Sequence, residues 1–140
     1  MYVLDTNVLS AMMRPRPVPE VAAWIDSQDE DLLFTTAISQ AEILSGIAIM
    51  ADGRRRLDLA TAAQAIFAED FTGRVLPFDG EAALAYAELF AVRRRSGRPA
   101  ATLDLMIAAV ARSHGAGVVT RDASGFEGCG LTLINPWKAL

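Results

Sequence analysis

The chain has 140 residues, of which 52% are hydrophobic and 21% charged, and a formal charge of −4. That is one domain's worth of sequence, able to bury a core without metal or disulfide staples, and none of its apolar stretches reaches the roughly 18 residues a membrane helix needs. The negative charge by itself argues against a nucleic-acid partner, and the single cysteine, Cys129, rules out an internal disulfide and points to a reducing cytoplasm.

Met1-Tyr2-Val3-Leu4 is an apolar run that stops at Asp5, the pattern of a strand covered on both faces. No basic segment or cleavage site marks it as a signal peptide. Thr6 or Asp5 caps a short helix to about Met13, which the proline-rich Arg14–Pro19 segment breaks. Glu20 to Ser27 reads as a second helix, Asp29-Glu30-Asp31 as a solvated turn, and Leu32–Thr35 as a second strand. Thr36 caps an apolar helix over 37–50, ended by Asp52-Gly53, and an alanine-rich helix follows over 54–71. Val75–Phe78 is a short strand whose proline suits a sheet edge. Asp79 caps a helix to about Arg95, stopped at Ser96-Gly97-Arg98-Pro99, and Thr102 caps another over 103–114, closed by Gly115. Strands over 117–120 and 131–134 complete the chain, the last ended by Pro136. Strands alternating with helices predict an α/β fold, a mainly parallel, doubly wound sheet between helical layers, with residues 1–140 as a single domain.

In such a sheet ligands bind at the carboxyl ends of the strands. Asp5 sits at one such end and Asp122, after Gly117-Val118-Val119-Thr120-Arg121, at another. Asp104 shares a helical face with Ile107, Ala108 and Ala111, and Glu42 shares one with Ile38, Gly46 and Ile49. A half-buried Glu42 needs a partner, yet no arginine occurs between Arg16 and Arg54. All four acids are placed on the same edge of the sheet, where like charges repel unless a cation joins them. Oxygen-only donors suit Mg2+ or Mn2+ rather than zinc. Together the four acids account for the whole formal charge, which removes the objection to a nucleic-acid substrate.

A hard metal in an open carboxylate site suits phosphodiester cleavage, and no phosphate-cradling glycine loop points to triphosphate hydrolysis. Asp5 and Asp104 are assigned direct metal contact, Asp122 direct or water-mediated contact, and Glu42 an outer ligand's place or the orientation of water. Taken singly, each acid has a plainer reading as a helix cap, dipole partner, arginine partner or turn former; jointly the site is the better account. Thr6, Asn7, Ser39 and Thr120 are polar neighbours of the acids, able to orient them, although capping explains Thr6 as well. Arg93–Arg95 and Arg98 precede the Asp104 helix and either grip a phosphate backbone or complement a helix dipole. Arg54–Arg56 reads as a solvated face, and Trp24 and Trp137 as packing residues.

Val3-Leu4-Asp5-Thr6-Asn7, Ser39-Gln40-Ala41-Glu42 with Gly46, Asp104-Leu105-Met106-Ile107-Ala108-Ala109, and Thr120-Arg121-Asp122 followed by Phe126-Glu127 and Ile134-Asn135-Pro136-Trp137 occur in that order along the chain. In this the chain resembles PIN-domain nucleases of the VapC type, with an ending most similar to the FitB branch. The resemblance implies a three-layer α/β/α sandwich around a five-stranded parallel sheet. It implies a Mg2+- or Mn2+-dependent endoribonuclease, the toxin of a type II toxin–antitoxin pair, in which Asp5, Glu42, Asp104 and Asp122 match the family's acidic quartet. It also implies RNA as substrate, a homodimer, and an antitoxin that covers the acidic site and itself binds operator DNA. The family often carries a further acid where this chain has Gly125. The competing functions are a non-catalytic acidic module that docks an arginine-bearing, DNA-binding partner, and a phosphoacceptor domain. The second needs a lysine beside its aspartates, and Lys138 is the only lysine in the chain.

Overall fold

The structure, a computed structural model, describes residues 1–138. Five short strands, β1 (Tyr2–Leu4), β2 (Leu33–Thr36), β3 (Val75–Leu76), β4 (Gly117–Val119) and β5 (Leu133–Ile134), form one sheet in the order β3-β2-β1-β4-β5. Every pairing is parallel, with Val3 opposite Phe34 on one side and Val118 on the other. The expected parallel, five-stranded sheet is therefore present, with β1 at its centre.

Strand alternation divides the core into two layers. Val3 and Val118 point to one face, where they meet the buried Ala82, Ala85, Leu89, Leu105, Ala108 and Ala111 of α5 (Gly80–Arg95) and α6 (Thr102–Ser113). Leu4 and Val119 point to the other, against α1 (Thr6–Met12), α2 (Pro19–Asp26), α3 (Ala37–Ala48) and α4 (Arg54–Gln64) through Val8, Leu9, Val21, Ile43 and Ala63. Val3, Leu4, Val118 and Val119 are fully buried, each contributing about 1.5–3 kcal/mol by leaving water. The small residues on α5 and α6 let those helices lie close together.

The caps read from the sequence hold at three helices and fail at one. Asp5, Thr36 and Asp79 accept backbone N–H groups at the starts of α1, α3 and α5. Helix α6 starts one residue earlier than expected. Leu105 N–H donates to Ala101 O at 3.0 Å, so Ala101 is the cap and Thr102 is already helical, where its hydroxyl cannot serve. Gly115, at φ +64°, closes that helix in the left-handed region, as expected. The helix expected over 54–71 is α4 continued by a π-helical turn, Ala65–Asp70, in which Phe71 N–H reaches back five residues to Ile66 O at 2.9 Å. The extra residue in that turn turns Ile66, Phe67 and Phe71 into the core together. β3 ends before Pro77 and lies at the sheet edge, because proline has no N–H to give a further neighbour.

Candidate active site

The strand order reverses direction at β1. The chain first builds outward through β2 and β3, then returns to lay β4 on β1's other side. The crevice beyond the carboxyl ends of β1 and β4 is thus the sheet's topological switch point. Asp5 leaves β1 there, its N–H bonded to Val119 O at 2.9 Å, and Thr120 leaves β4 beside it.

Asp5 is 4% exposed and hydrogen-bonded through both carboxylate oxygens. Its Oδ1 accepts Thr6 N–H at 2.8 Å; its Oδ2 accepts the Thr120 hydroxyl at 2.8 Å and Asn7 Nδ2 at 3.4 Å. The Thr120 hydroxyl oxygen in turn accepts Asp122 N–H at 3.1 Å, and Asn7 Oδ1 accepts Arg121 N–H at 3.2 Å, so the turn after β4 is fastened to α1. Across the crevice the Thr6 hydroxyl donates to Glu42 Oε1 at 2.8 Å and shares a second hydrogen bond with the buried Ser39 hydroxyl at 2.9 Å. Glu42 stands on α3, two turns from a strand end, and finds its partner in a threonine rather than an arginine.

Asp104, on the first turn of α6, completes the group. Asp5, Glu42 and Asp104 line one cavity of about 390 Å³, with Thr6, Asn7, Ser10 and Ala11 of α1. Burial pushes the Asp5 carboxyl up to about 6; the bonds from Thr120 and Thr6 pull it down, and the charges of Asp104 and Glu42 raise it again. The Asp104 carboxyl is also raised, first by burial, then by Glu42 and Asp122. Asp5 is raised in part by Asp104 and Glu42, and Asp104 by Glu42 and Asp122, as neighbouring charges in one site do.

Asp122 occupies the rim. It is exposed, and its Oδ1 accepts the Ser124 hydroxyl at 2.5 Å, so it shapes the turn over 123–126 as well as facing Asp104. Gly125 lies between the two acids. A Cβ there would stand 3.1 Å from Asp104 Oδ2 and 3.8 Å from Asp122 Oδ2. A side chain at 125 would need the Asp104 carboxylate to give way by a few tenths of an ångström.

Arg98 is not brought to the site. The chain turns after α5, and the side chain pairs with Glu127 at 3.3 Å on the surface. Four residues missed in the sequence do line the cavity: Ser10, Arg14, Arg121 and Trp137. Asn7, Ser10, Ala11 and Arg14 recur at i, i+3, i+4 and i+7, so a helical-face reading from Asn7 would have found two of them. Trp137 packs beside the core, as expected, and also faces the cavity.

Among the described residues no group of three or more His, Cys, Asp or Glu side chains is arranged to hold a metal ion by itself. Magnesium does not require one: it is held by one or two carboxylates and keeps several waters. Asp5 Oδ1, which accepts only the Thr6 N–H, keeps a lone pair beside that bond. The carboxylate donor set around this cavity therefore fits a hard divalent cation.

A family model described as PIN domain matches residues 2–127. The VapC ribonuclease Y4jK of Sinorhizobium fredii is 44% identical over 99% of both chains. The toxin FitB of Neisseria gonorrhoeae is 36% identical over 98% of this chain and 99% of its own. The solved structure of FitAB bound to an IR36 DNA fragment superposes with a TM-score of 0.92 at 35% identity, covering 100% of this chain and 98% of that one. With the parallel sheet and the acids at its switch point, these likenesses show that the chain belongs to the PIN-domain family, in the group that holds the VapC and FitB toxins.

Proposed function

We propose that this chain is a metal-dependent endoribonuclease and the toxin of a type II toxin–antitoxin pair. The observation that carries the proposal is the convergence of Asp5, Glu42 and Asp104 on one cavity, where their charges act on one another. Relatives named as ribonucleases support RNA as the substrate. Asp5 and Asp104 would hold Mg2+ or Mn2+, with Asp122 joining directly or through water. When bound, the ion polarises the scissile phosphate and lowers the pKa of water. Glu42, aimed by Thr6 and Ser39, positions the attacking water and takes its proton as the water oxygen bonds phosphorus and the leaving oxygen departs. Thr120 and Asn7 keep the Asp5 carboxylate turned toward the cavity.

The same proposal takes residues 1–140 as one domain; β5 lies beyond the span the family model matches and pairs with β4. It takes an antitoxin as the partner over the acidic site, contact with operator DNA only through that antitoxin, and a homodimer. Exposed Leu84, Phe90 and Val92 on α5 offer apolar surface for self-association. Among the described residues no helix is long and apolar enough to cross a membrane, and we place the protein in the cytoplasm. The test is cleavage of a single-stranded RNA with Mn2+ by the wild type, Asp5→Asn and Asp104→Asn. Loss of cleavage in both variants is expected. Equal turnover in all three removes catalysis and leaves a binding module.

A further inference from the structure

The cavity that gathers the acids also carries two arginines and an indole that this hydrolysis scheme leaves unused: Arg14, Arg121 and Trp137. Arginine in a carboxylate pocket ordinarily neutralises the acids. Here neither does so. The ion pairs among the described residues join Arg54 to Asp58, Arg56 to Asp52, Arg98 to Glu127 and Arg112 to Glu88, and none includes Arg14 or Arg121. Two arginines thus line the same cavity as Asp5, Glu42 and Asp104 without an ion pair to any acid among the described residues.

Arg121 is held unusually well for a surface arginine. Its backbone N–H donates to Asn7, and its carbonyl accepts Asn135 Nδ2 at 3.4 Å. The same Asn135 accepts Trp137 N–H at 3.0 Å through its Oδ1, so one asparagine fastens both residues. The Arg121 guanidinium lies over the Trp137 ring, 5.3 Å from its centroid. A cation–π contact of this kind restricts the rotamers of Arg121, which lowers the entropy lost when its N–H groups grip an anion. Arg14 stands where the acid cavity meets a larger groove of about 900 Å³ between α1, α3 and α4, which also carries Arg54 and Arg55.

We propose that Arg14 and Arg121 bind the phosphates of an RNA strand on either side of the scissile one, and that Trp137 is a positioning residue that holds Arg121 ready. This rests on the nuclease reading and deepens it. The carboxylates hold the cation at the reacting phosphate. The arginines meet its neighbours, which the acids alone would repel. Charge thus alternates along the strand's path, and that arrangement explains how a chain of charge −4 takes a polyanion.

The experiment measures binding of a short, dye-labelled single-stranded RNA by fluorescence anisotropy, in Mg2+, over a series of salt concentrations. The protein is the full chain carrying Asp104→Asn, so that the RNA survives. Arg121→Ala and Arg14→Ala are each expected to weaken binding about tenfold and to lower the salt-dependence slope by about one phosphate contact. Trp137→Ala is expected to reproduce part of the Arg121 defect, and Trp137→Phe and Arg121→Lys to restore part of each. In a chain with Asp104 intact, the arginine variants raise KM several-fold and leave kcat within a few-fold. Circular dichroism melts establish that each variant is folded, and Arg121→Gln stands in should alanine at 121 prevent folding. Unchanged affinity and slope in both arginine variants overturn the proposal, as does weakened binding of the antitoxin with RNA binding intact. Arginine-dependent binding by a wild type that cleaves no RNA keeps the phosphate contacts of Arg14 and Arg121 and overturns the nuclease reading, and with it their place beside a scissile phosphate.

Discussion

Asp5 and Asp79 begin as the same device. Each follows a short strand, each is the N-cap of the next helix, and each accepts a backbone N–H, from Thr6 at 2.8 Å and from Ala82 at 3.0 Å. Their surroundings separate them. β1 is the central strand and its carboxyl end opens on the switch point, so Asp5 is buried under Thr120, Asn7 and α1 and faces two further acids. β3 is an edge strand, and Asp79 stands exposed at the start of its helix. A capping aspartate becomes a candidate catalytic group through its place in the sheet, while its local sequence remains that of a cap.

The largest expected effect sets the two apart directly. Asp5→Asn and Asp104→Asn each reduce Mn2+-dependent RNA cleavage by a factor on the order of 100 or more. Asp79→Asn leaves the rate within a factor of about two. Comparable losses at Asp5 and Asp79 would mean that capping, and not the pocket, governs activity. Glu42→Gln, which keeps shape and loses the base, lowers kcat by about 10²–10⁴ with little change in KM; a pure KM effect would give Glu42 a binding role instead.

The second effect concerns stability and has the opposite sign from activity. The Asp5 carboxyl titrates at about 6 in the folded protein, against an ordinary value of 3.8. The folded state therefore binds more protons than the unfolded state between those two values, and metal-free stability falls as pH rises through that window. The shift corresponds to about 3 kcal/mol at most. Thermal melts of the metal-free protein at pH 4 and pH 7 should show the loss, and Asp5→Asn should flatten it and raise the neutral-pH Tm. Mg2+ or Mn2+ should raise the wild-type Tm more at pH 7 than at pH 5, because the acids must be ionised to bind it. A wild type equally stable across the window, with or without metal, would show that the carboxylates do not strain one another.

Smaller effects sharpen the edges of the site. Asp79→Ala costs about 1 kcal/mol in denaturant unfolding, the worth of a cap, with no loss of cleavage. Arg98→Ala changes stability by less than about 0.5 kcal/mol and leaves RNA cleavage unchanged, because its ion pair with Glu127 is exposed and neither residue lines the acid cavity. A marked cleavage defect in Arg98→Ala would return that residue to the substrate path.

Much of this arrangement is written locally. The apolar run ending at Asp5, the caps Thr36 and Asp79, and the turn at Gly115 follow from rules that span four or five residues. They place strands and helices to within a residue or two. Local rules fail where a neighbour decides. The π turn over 65–70 carries Phe71 into the core, and Ala100, just before α6, packs against the core layer that α6 covers. Arg98 reads as a phosphate grip only until its partner, Glu127, is known to stand 29 positions away in the chain.

The sequence by itself determined the alternation of strand and helix, the parallel sheet that alternation requires, and four carboxylates of which Glu42 has no basic residue close enough along the chain to neutralise it. Only the tertiary structure decided that Asp5, Glu42 and Asp104 share one cavity while Asp122 keeps the rim, that Thr6 rather than an arginine partners Glu42, and that Arg14, Arg121 and Trp137 join them. The reason is the reach of the forces involved. Backbone conformation responds to side chains a few residues away, whereas burial, charge repulsion and hydrogen bonding across a crevice act between groups that only folding brings within a few ångströms.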